Sequence, residues 1–582
     1  MTEAGMPTRE NHPGAEREVD PVTREVIQNR LISIVREMSV TIERAAYSPI
    51  IFEVKDFSSV LLRPNGDVVA QAEGIPVFLG AMQQTLPPVL ARYPLETMRP
   101  GDVYISNDPH TANGTHKNDI NVLRPFFVDG EPVLFSANKA HWTDIGAKDP
   151  GSWSPDAANT YQEGVTVPAL RLYRDGEVNE ELLEMILANT RLRENNYGDF
   201  MAQISAAHTA EIRLQELYAR YTPQEIDPCV DSMFDYIEAK VRAEVAQVPD
   251  GTYTGIDYVD SDGVTDEPVK IVVRVTVDGS DITFDFSDCE PQRWGANGNA
   301  HLVVTESSCR VAFKCLFGPN LATNQGFYRP MKIRTKPGTV THALYPAPGT
   351  TFDNISRSIM EAIFFALAPV IPERVAAGIF GGVQAMAIAG DDPRDGQPYI
   401  HFMPYAGGWG ARQIKDGMNG LCPLINGDNY NIPCEVTETK FPLLVERYEL
   451  IDDSGGAGEH RGGLGIRIDY RVLSENATVS ASLGRFAFRP PGLFDAGDGA
   501  VNSLLLNLGS DEEVNRPLVG GATVDKGSVI SHRTGGGGGF GSARTRDRGR
   551  VVADVEAGYV SAEVAVQDYG LDPSLLPGEA DR

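Results

Sequence analysis

The spacing of the apolar residues changes near residue 250, and this change sets the class of fold. Upstream, the segment 178–246 repeats apolar residues at the three-to-four-residue spacing of amphipathic helices. Downstream, the sequence from 251 alternates apolar and polar residues between Asp-Gly and Gly-Ser turns, as half-buried strands do. The sequence therefore predicts a mixed α+β fold, in which strand-rich regions are combined with helical segments.

The chain has 582 residues, too many for one ordinary hydrophobic core, so we expect a multidomain protein. A polar start that contains proline and glycine predicts a disordered N-terminus over residues 1–20. The patterns then predict an N-terminal α/β domain over 21–248, which includes a helical stretch and a candidate metal site. They also predict a mixed α/β region over 249–435 and a strand-rich C-terminal region over 436–582 with a glycine-rich loop.

Within these regions some elements are predicted individually. A helix is expected over 21–47, with a proline in its first turn, and a hairpin is expected around 64–67. A buried helix is predicted over 358–371, with Asp353 or Asn354 as its candidate cap. The segment 551–570 is predicted to be a strand followed by a short helix.

Charge and composition exclude some classes of function. The chain has 51 basic and 80 acidic residues, a net charge of −29, which argues against a nucleic-acid partner. Its six cysteines lack metal-binding spacing and are interpreted as buried thiols. No apolar run approaches the roughly 18–20 residues of a membrane span, and no secretory signal is recognised. A cytoplasmic protein that does not enter a membrane is expected.

Three of the ten histidines fall in two short loops, "NDPHTANGTHKND" and "KAHWTDIG". Both loops follow predicted strands, a place where protein scaffolds often carry chemistry. His116 and Asp119 are three residues apart, and His141 begins the second loop. Two imidazoles and one carboxylate suffice to hold zinc, manganese or iron and leave positions open for substrate.

Further acidic residues lie near this cluster in the sequence. Asp56 is a candidate fourth oxygen ligand, and Asp108 and Asp144 are candidates to orient the imidazoles. The same side chains are equally suited to capping loop backbone, and the spacing alone leaves both interpretations open. His208 lies in a helical pattern and is predicted to be a surface or packing residue.

Two other motifs are candidates for functional sites. The run "TGGGGGFG" at 534–541 offers backbone amides that could hold a phosphate. It has no following Lys-Ser or Lys-Thr pair and no GxGxxG spacing between strand and helix, so a structural or subunit-contact loop is favoured. Nucleophilic catalysis is disfavoured because no G-x-S-x-G occurs and no histidine lies near Cys422 or Cys434 in the sequence.

The two histidine loops resemble the hydantoinase B/oxoprolinase family, whose pattern runs close to N-D-P-Y-x-G-G-T-H-x-x-D and then A-H-x-x-D-I-G-G-x-x-P-G-S. Similar stretches follow in order along nearly the whole chain, including 55–82, 168–191 and the terminal "GYVSAEVAVQDYG". The chain departs from the pattern at three positions. His110 replaces the usual Tyr, Phe78 stands where His is frequent, and Trp142 stands where a second His is common.

The resemblance implies a B-type subunit of an ATP-dependent enzyme that hydrolyses a cyclic amide of the lactam, hydantoin or oxoproline type. It implies a hydantoinase A-type partner that binds ATP and magnesium and phosphorylates an oxygen of the small-molecule substrate. A hetero-oligomer, a dimer of heterodimers or larger, is expected. Two alternatives stay open: a subunit of a ketone carboxylase that uses bicarbonate, and a non-catalytic scaffold.

The resemblance also implies the roles of particular residues. His116, Asp119 and His141 match the family's metal-binding positions, and Asp56 is expected beside them. Separately from the resemblance, the acid–base chemistry makes Asp144 or Asp108 the candidate proton-handling residue. His110 is expected to lie outside the ligand set, because its position departs from the family's pattern.

Overall fold

The computed structural model describes residues 20–576, and the predicted disordered N-terminus lies almost entirely outside this range. The described chain combines helices with four β-sheets, so the predicted mixed α+β, multidomain class is confirmed. None of the helices within residues 20–576 has both the length and the apolar character needed to cross a membrane.

The first sheet has seven strands in the order β2-β1-β5-β4-β3-β6-β7, and all neighbouring strands are antiparallel. The strands are β1 (Phe57–Leu62), β2 (Val68–Gln71), β3 (Val103–Ser106), β4 (Asp119–Val128), β5 (Glu131–His141), β6 (Leu170–Arg174) and β7 (Glu177–Val178). The β1–β2 pair confirms the predicted hairpin. The long β4–β5 hairpin lies in the middle of the sheet and contains a bulge between Phe126 and Phe127, which moves the register by one residue.

Seven helices belong to this part of the chain: α1 (Pro21–Ala45), α2 (Pro49–Phe52), α3 (Pro76–Ala81), α4 (Leu86–Arg92), α5 (Glu180–Leu187), α6 (Arg193–Tyr218) and α7 (Pro223–Val245). The predicted first helix is confirmed, and the Asp20 carboxylate caps it by accepting a hydrogen bond from the Thr23 amide. The helical stretch predicted over 178–246 is also confirmed. His208 lies on the surface of α6 with 60% of its side chain exposed, as expected.

The second sheet contains β8 (Gly251–Val259), β9 (Val269–Asp278), β10 (Asp281–Asp285) and β11 (Met331–Arg334), in the order β11-β10-β9-β8. Alternate residues of β9 are buried, as the period-two pattern predicted. The accompanying helices are α8 (Leu302–Phe317), α9 (Gln325–Tyr328) and α10 (Asp353–Leu367). Helix α10 corresponds to the predicted buried helix, but its cap residue is Phe352, and Asp353 is its first helical residue.

Two further antiparallel sheets follow. One has the order β13-β12-β16-β19, with β12 (Met386–Asp391), β13 (Pro398–Met403), β16 (Ala477–Ser482) and β19 (Leu518–Val524). The other has the order β14-β15-β20-β17-β18, with β14 (Leu443–Leu450), β15 (Ile466–Val472), β17 (Ser503–Leu506), β18 (Val514–Asn515) and β20 (Val529–Arg533). The helices of this region are α11 (Cys434–Lys440), α12 (Arg548–Glu556) and α13 (Ala562–Gln567).

Helix α12 corrects one prediction, because its residues 551–555 were expected to form a strand. The Asp547 side chain accepts a hydrogen bond from the Arg550 amide and caps the helix, while Val551 and Val555 are buried on one face. A cap and the spacing of two buried valines therefore outweigh the strand preference of a valine-rich segment.

The largest hydrophobic cluster contains residues from distant parts of the chain. It joins α1 and α6 to strands β12, β13, β15 and β16. Phe402 of β13 and Trp153, which follows the first sheet, belong to this cluster. The C-terminal strands are therefore packed against the end of the first sheet at which β4 begins and β5 ends.

Candidate metal centre

His116, Asp119 and His141 come together at this end of the first sheet, and all three are buried. One ligand atom from each lies within 4.8 Å of the others. The Nε2 atom of His116 is 2.8 Å from Oδ1 of Asp119, and Nδ1 of His141 is 3.3 Å from the same oxygen. The sequence-predicted trio is thus one cluster in the structure.

The pairing of β4 with β5 and a hydrogen-bonded loop hold the trio in place. Asp119 is the first residue of β4, His141 is the last residue of β5, and the two are paired directly across the strands. The Asn118 amide side chain donates to the Trp142 carbonyl at 3.0 Å, which fixes the loop beside the strand end. Gly114 lets this loop close, because a Cβ there would lie 2.0 Å from the Asn107 carbonyl oxygen.

The orientation of the His116 ring comes from a distant part of the chain. Its Nδ1 atom is 3.0 Å from the carbonyl oxygen of Thr350, so a proton on Nδ1 leaves Nε2 as the electron-pair donor on the Asp119 side. The Thr350 amide donates to the buried Glu163 carboxylate at 2.6 Å, and the Gly349 amide donates to the same oxygen at 2.7 Å. Glu163 therefore fixes the backbone that orients His116.

The expectation that Asp108 and Asp144 orient the imidazoles is wrong. Neither carboxylate is hydrogen-bonded to an imidazole within the described residues. Asp108 accepts from the backbone of His110 and the hydroxyl of Thr111, whereas Asp144 accepts from the amides of Gly151 and Arg191 and from the Arg191 guanidinium. Both carboxylates stabilise their own loops by accepting hydrogen bonds from backbone amides. A proton-handling role for either residue stays a prediction.

His110 lies apart from the trio. Its ring is 4.6 Å from that of His301 and 5.5 Å from that of Tyr345, between centroids. It is not one of the residues that the structure brings within ligand distance of one another. Its expected place outside the ligand set agrees with this geometry.

Several buried atoms beside the trio lack hydrogen-bond partners among residues 20–576. Nε2 of His141 and Oδ1 of Asp56 are two of them. The His141 ring stacks on Phe402, with 5.1 Å between centroids, and the Asp56 carbonyl accepts from the His141 amide. Because an unpartnered buried polar atom costs about 1–3 kcal/mol, these atoms are suited to a ligand that restores their interactions.

The electrostatics of the two carboxylates differ. Burial would raise the pKa of Asp119, but His116 and His141, through charge and hydrogen bonds, hold it well below its usual range. Burial raises the pKa of Asp56 to about 7; His141 opposes this rise and the nearby Asp119 adds to it. Asp119 is therefore ionised at neutral pH, and Asp56 is poised between its two states.

A cavity of about 20 Å³ opens beside the trio, enough for an ion or a water molecule. His116, His141, Asp56, Asp353 and Asn426 supply its polar lining. The rest of the wall is apolar and includes Phe78, Trp153, Phe352 and Phe402. Phe78 replaces the frequent histidine of the family's pattern, and it contributes an apolar surface here.

Asp353 is the cavity residue that sequence reasoning placed elsewhere, as a helix cap. The only signal in the sequence was an acidic side chain directly before an apolar helix, which suits a cap equally well. The structure instead places the buried Asp353 carboxylate in the same cavity as His116 and His141.

The glycine run at 535–539 is structural. Its backbone is packed against other backbone, and a Cβ at Gly536 would lie 1.8 Å from the Ser454 carbonyl oxygen. The amides of Gly537, Gly538 and Gly539 donate to carbonyls of the same chain. Because these amides are already used, neither phosphate binding nor backbone contact with a partner is favoured for this loop.

Comparison with known proteins agrees with this architecture. A family model described as hydantoinase B/oxoprolinase matches residues 20–543. An uncharacterized protein of Methanocaldococcus jannaschii is 32% identical over 95% of this chain and 96% of its own length. The caprolactamase subunit beta of Pseudomonas jessenii is 30% identical over 95% and 96%, respectively.

A solved structure shows the same relationship. A chain in the crystal structure of the ATP-dependent caprolactamase from Pseudomonas jessenii superposes with a TM-score of 0.89 at 28% identity. The match covers 97% of this chain and 98% of that one. The similarity therefore extends over the full architecture and is not limited to the histidine loops.

Proposed function

The chain belongs to the hydantoinase B/oxoprolinase family, and on this premise we propose that it is the B-type subunit of an ATP-dependent cyclic amide hydrolase. The observation that carries the proposal is the buried His116–Asp119–His141 cluster beside a small cavity. It occurs in a chain that resembles a lactam-hydrolysing subunit from end to end. Lactams, hydantoins and oxoproline are the proposed substrate class.

The residues present fit a divalent metal ion. Two imidazoles and an ionised carboxylate form a donor set that suits zinc, manganese or iron, and Asp56 has a free oxygen beside them. Bound there, the ion would supply Lewis acidity to a substrate oxygen. His116, Asp119 and His141 would hold it, and Glu163 would keep the His116 ring in orientation through Thr350.

The chain's own residues would make the site dry. Phe78, Phe352 and Phe402 cover the cavity with aromatic surface, which keeps bulk water away from the trio. A dry wall also strengthens each polar contact inside the cavity, because little water remains to screen it.

An open cleft of about 620 Å³ offers a route for substrate. Pro76, Leu79 and Gly427 line it, while their chain neighbours Val77, Phe78 and Asn426 line the metal cavity. The same two segments thus form the wall between cleft and cavity. We assign substrate entry to this cleft.

ATP chemistry is assigned to a partner. The chain has no P-loop sequence, and the amides of its glycine run are used internally. A hydantoinase A-type subunit that binds ATP and magnesium would phosphorylate the substrate oxygen, which makes the amide carbon easier to attack. We propose a hetero-oligomer, a dimer of heterodimers or larger.

The test is the coexpressed two-subunit complex, supplied with ATP and one candidate substrate at a time. ADP formation together with a ring-opened amino acid, detected by mass spectrometry on caprolactam, 5-oxoproline or a hydantoin, supports the proposal. Turnover of acetone or acetophenone with bicarbonate, without ring opening, would replace it by a ketone carboxylase. Full activity after complete removal of metal would instead indicate a scaffold.

A further inference from the structure

Asp353 is an acidic residue of the metal cavity that none of the proposed metal-binding roles uses. Its side chain is buried, with 1% exposed, and its Oδ1 atom has no hydrogen-bond partner among residues 20–576. The second oxygen, Oδ2, accepts from the Val383 amide at 2.9 Å. One oxygen is therefore anchored to the backbone, and the other is free.

The backbone around Asp353 determines the position of its carboxylate. A Cβ at residue 382 would lie 2.5 Å from Oδ2, so the glycine there is what leaves room for the carboxylate. Asp353 is also the first residue of α10, so its main chain is fixed by a helix that is buried along most of its length. The position of the side chain is thus defined from two directions.

The charged groups around Asp353 leave it without a partner. On its own helix the nearest is Arg357, whose Nη1 atom is bound to Asp257 at 2.5 Å and to Glu361 at 2.7 Å. The same cavity is lined by Asp56, His116 and His141, which are assigned to the metal.

We propose that Asp353 is a catalytic residue that transfers a proton between the attacking water and the amide nitrogen. The assignment rests on the proposed cyclic amide hydrolase function. It is carried by the free, buried carboxylate oxygen in the same small cavity as His116 and His141. A general acid–base group has to be within reach of the reacting atoms and must not be tied up in an ion pair.

Asp353 can account for both proton transfers that ring opening requires. In the amide that carries a phosphoryl group on its oxygen, a bond forms between the water oxygen and the amide carbon, and the bond between carbon and nitrogen breaks. This leaves an acyl phosphate, which a second water hydrolyses to the carboxylate and inorganic phosphate. One proton has to leave the first water, and one has to reach the nitrogen, which keeps the electron pair of the broken bond. Asp353 accepts the first proton and delivers it to the nitrogen, so its carboxyl group ends the cycle in the state in which it began.

The environment supports this role. Burial raises the pKa of Asp353 to about 7, although backbone hydrogen bonds and Arg357 oppose the rise. A carboxyl group of this kind exchanges a proton readily near neutral pH, where an ordinary aspartate is ionised.

Kinetics and metal analysis of the two-subunit complex form the first test. Asp353→Asn retains an acceptor for the Val383 amide but cannot carry a proton, so kcat should fall about 100-fold or more while bound zinc stays at the wild-type level. Asp353→Glu should recover part of the activity. Asp56→Asn is the matched comparison, because it alters the other free carboxylate of the cavity and should lower the zinc content.

The outcomes separate this proposal from the one on which it rests. Wild-type kcat in Asp353→Asn, with zinc retained, overturns the role of Asp353 and leaves the cyclic amide function intact. A wild-type complex that opens no cyclic amide overturns the proposed function and this assignment with it.

Infrared spectroscopy of the metal-free chain supplies a readout that needs no substrate. In the difference spectrum of wild type minus Asp353→Asn, a protonated carboxyl band should be present at mildly acidic pH and disappear as the pH rises through neutrality. A spectrum that is identical in wild type and Asp353→Asn overturns the proposal.

Discussion

Helix α10 takes part in two buried charge clusters that differ in one respect. About one and two turns beyond Asp353, Arg357 and Glu361 of α10 form a network with Asp257 and Arg485. Its two positive and two negative charges balance, and every carboxylate oxygen in it has a partner. In the metal cavity, Asp56 and Asp353 each leave one oxygen without a partner.

The difference in hydrogen-bond partners between the two clusters distinguishes a stabilising role from a functional one. In the network, burial would raise the pKa of Asp257, but Arg357 and Arg485 hold it below its usual range. In the cavity, burial raises the pKa of Asp56 and of Asp353 to about 7. Charges that are already paired hold the fold together, whereas charges left unpaired are available to a metal ion or a substrate.

The largest expected effect is in the cavity. His141→Ala removes one imidazole of the trio, so bound zinc should be lost and turnover of the complex should fall about a thousand-fold, the equivalent of several kcal/mol of lost Lewis-acid stabilisation. Elemental analysis and an ATP-dependent turnover assay measure both effects. His208→Ala, on the exposed face of α6, is the control and should change neither. Equal metal and activity in the two variants would show that the trio is structural.

The next effect is in the network. Arg485→Met leaves Asp257 and Glu361 with one cation between them, and loss of one partner from a buried ion cluster costs about 3–5 kcal/mol of unfolding free energy. Chemical denaturation of the metal-loaded chain measures it. Arg36→Met breaks a pair with Glu73 in which the two side chains are 58% and 66% exposed, and should cost below about 1 kcal/mol. Similar losses in the two variants would remove the contrast between the clusters.

A smaller effect tests the support of the trio. Glu163→Gln weakens the charge-assisted hydrogen bonds that hold Gly349 and Thr350, so the His116 ring should be less well oriented. Zinc affinity, measured by competition with a chelator, should fall about tenfold. Glu184→Gln, which alters an exposed partner of Arg193, is the control. Unchanged zinc affinity in Glu163→Gln would exclude the support role.

The smallest effect concerns pH in the metal-free chain. The folded state raises the pKa of Asp353 from its ordinary 3.8 to about 7. The protonated group therefore contributes stability that is complete below the lower value and is lost as the pH rises through the higher one. The unfolding free energy of wild type minus that of Asp353→Asn should decrease over this window, as denaturant titrations at several pH values would show.

The exposed Arg36–Glu73 pair is a control with the opposite dependence on pH. Arg36 lowers the pKa of Glu73, so the contribution of Glu73 to stability should be lost as the pH falls. Glu73→Gln should therefore differ from wild type less at acidic pH than at neutral pH. A wild-type minus Asp353→Asn difference that is flat with pH would contradict the raised pKa.

Local patterns in the sequence predicted much of the secondary structure and the proximity of His116, Asp119 and His141. The apolar spacing of α1 and the alternation of β9 are properties of neighbouring residues, and both were confirmed by the structure. His116, Asp119 and His141 lie in two loops whose motifs are recognisable, so their proximity could be expected. The valine-rich α12 was predicted as a strand, because its capping and packing partners were not visible in the local pattern.

The surroundings of the trio could not be predicted, because they are formed by residues far away in the sequence. Thr350 reaches His116 across 234 positions, and Phe402 stacks on His141 from another sheet. Asp353 looked like a helix cap, since its role depends on a cavity that exists only after the C-terminal strands are packed. Asp108 and Asp144 were expected to orient the imidazoles because they are near the histidines in sequence. The His116 ring is instead oriented by Thr350, which Glu163 holds in place.

The bulge in the β4–β5 hairpin decides whether the His116–Asp119–His141 cluster can form. Near the turn, Val128 is opposite Glu131, and a regular ladder continued from there would place Ala140 opposite Asp119. The bulge absorbs one residue of β5, and the ladder beyond it brings His141 opposite Asp119 instead. Neighbouring side chains of a strand point to opposite faces of the sheet. A shift of the register by one residue therefore exchanges the side chain that faces Asp119 completely. An irregularity about seven residues from Asp119 thus determines which side chain lies beside this carboxylate. With the bulge it is the imidazole of His141, and without it the methyl group of Ala140 would lie there.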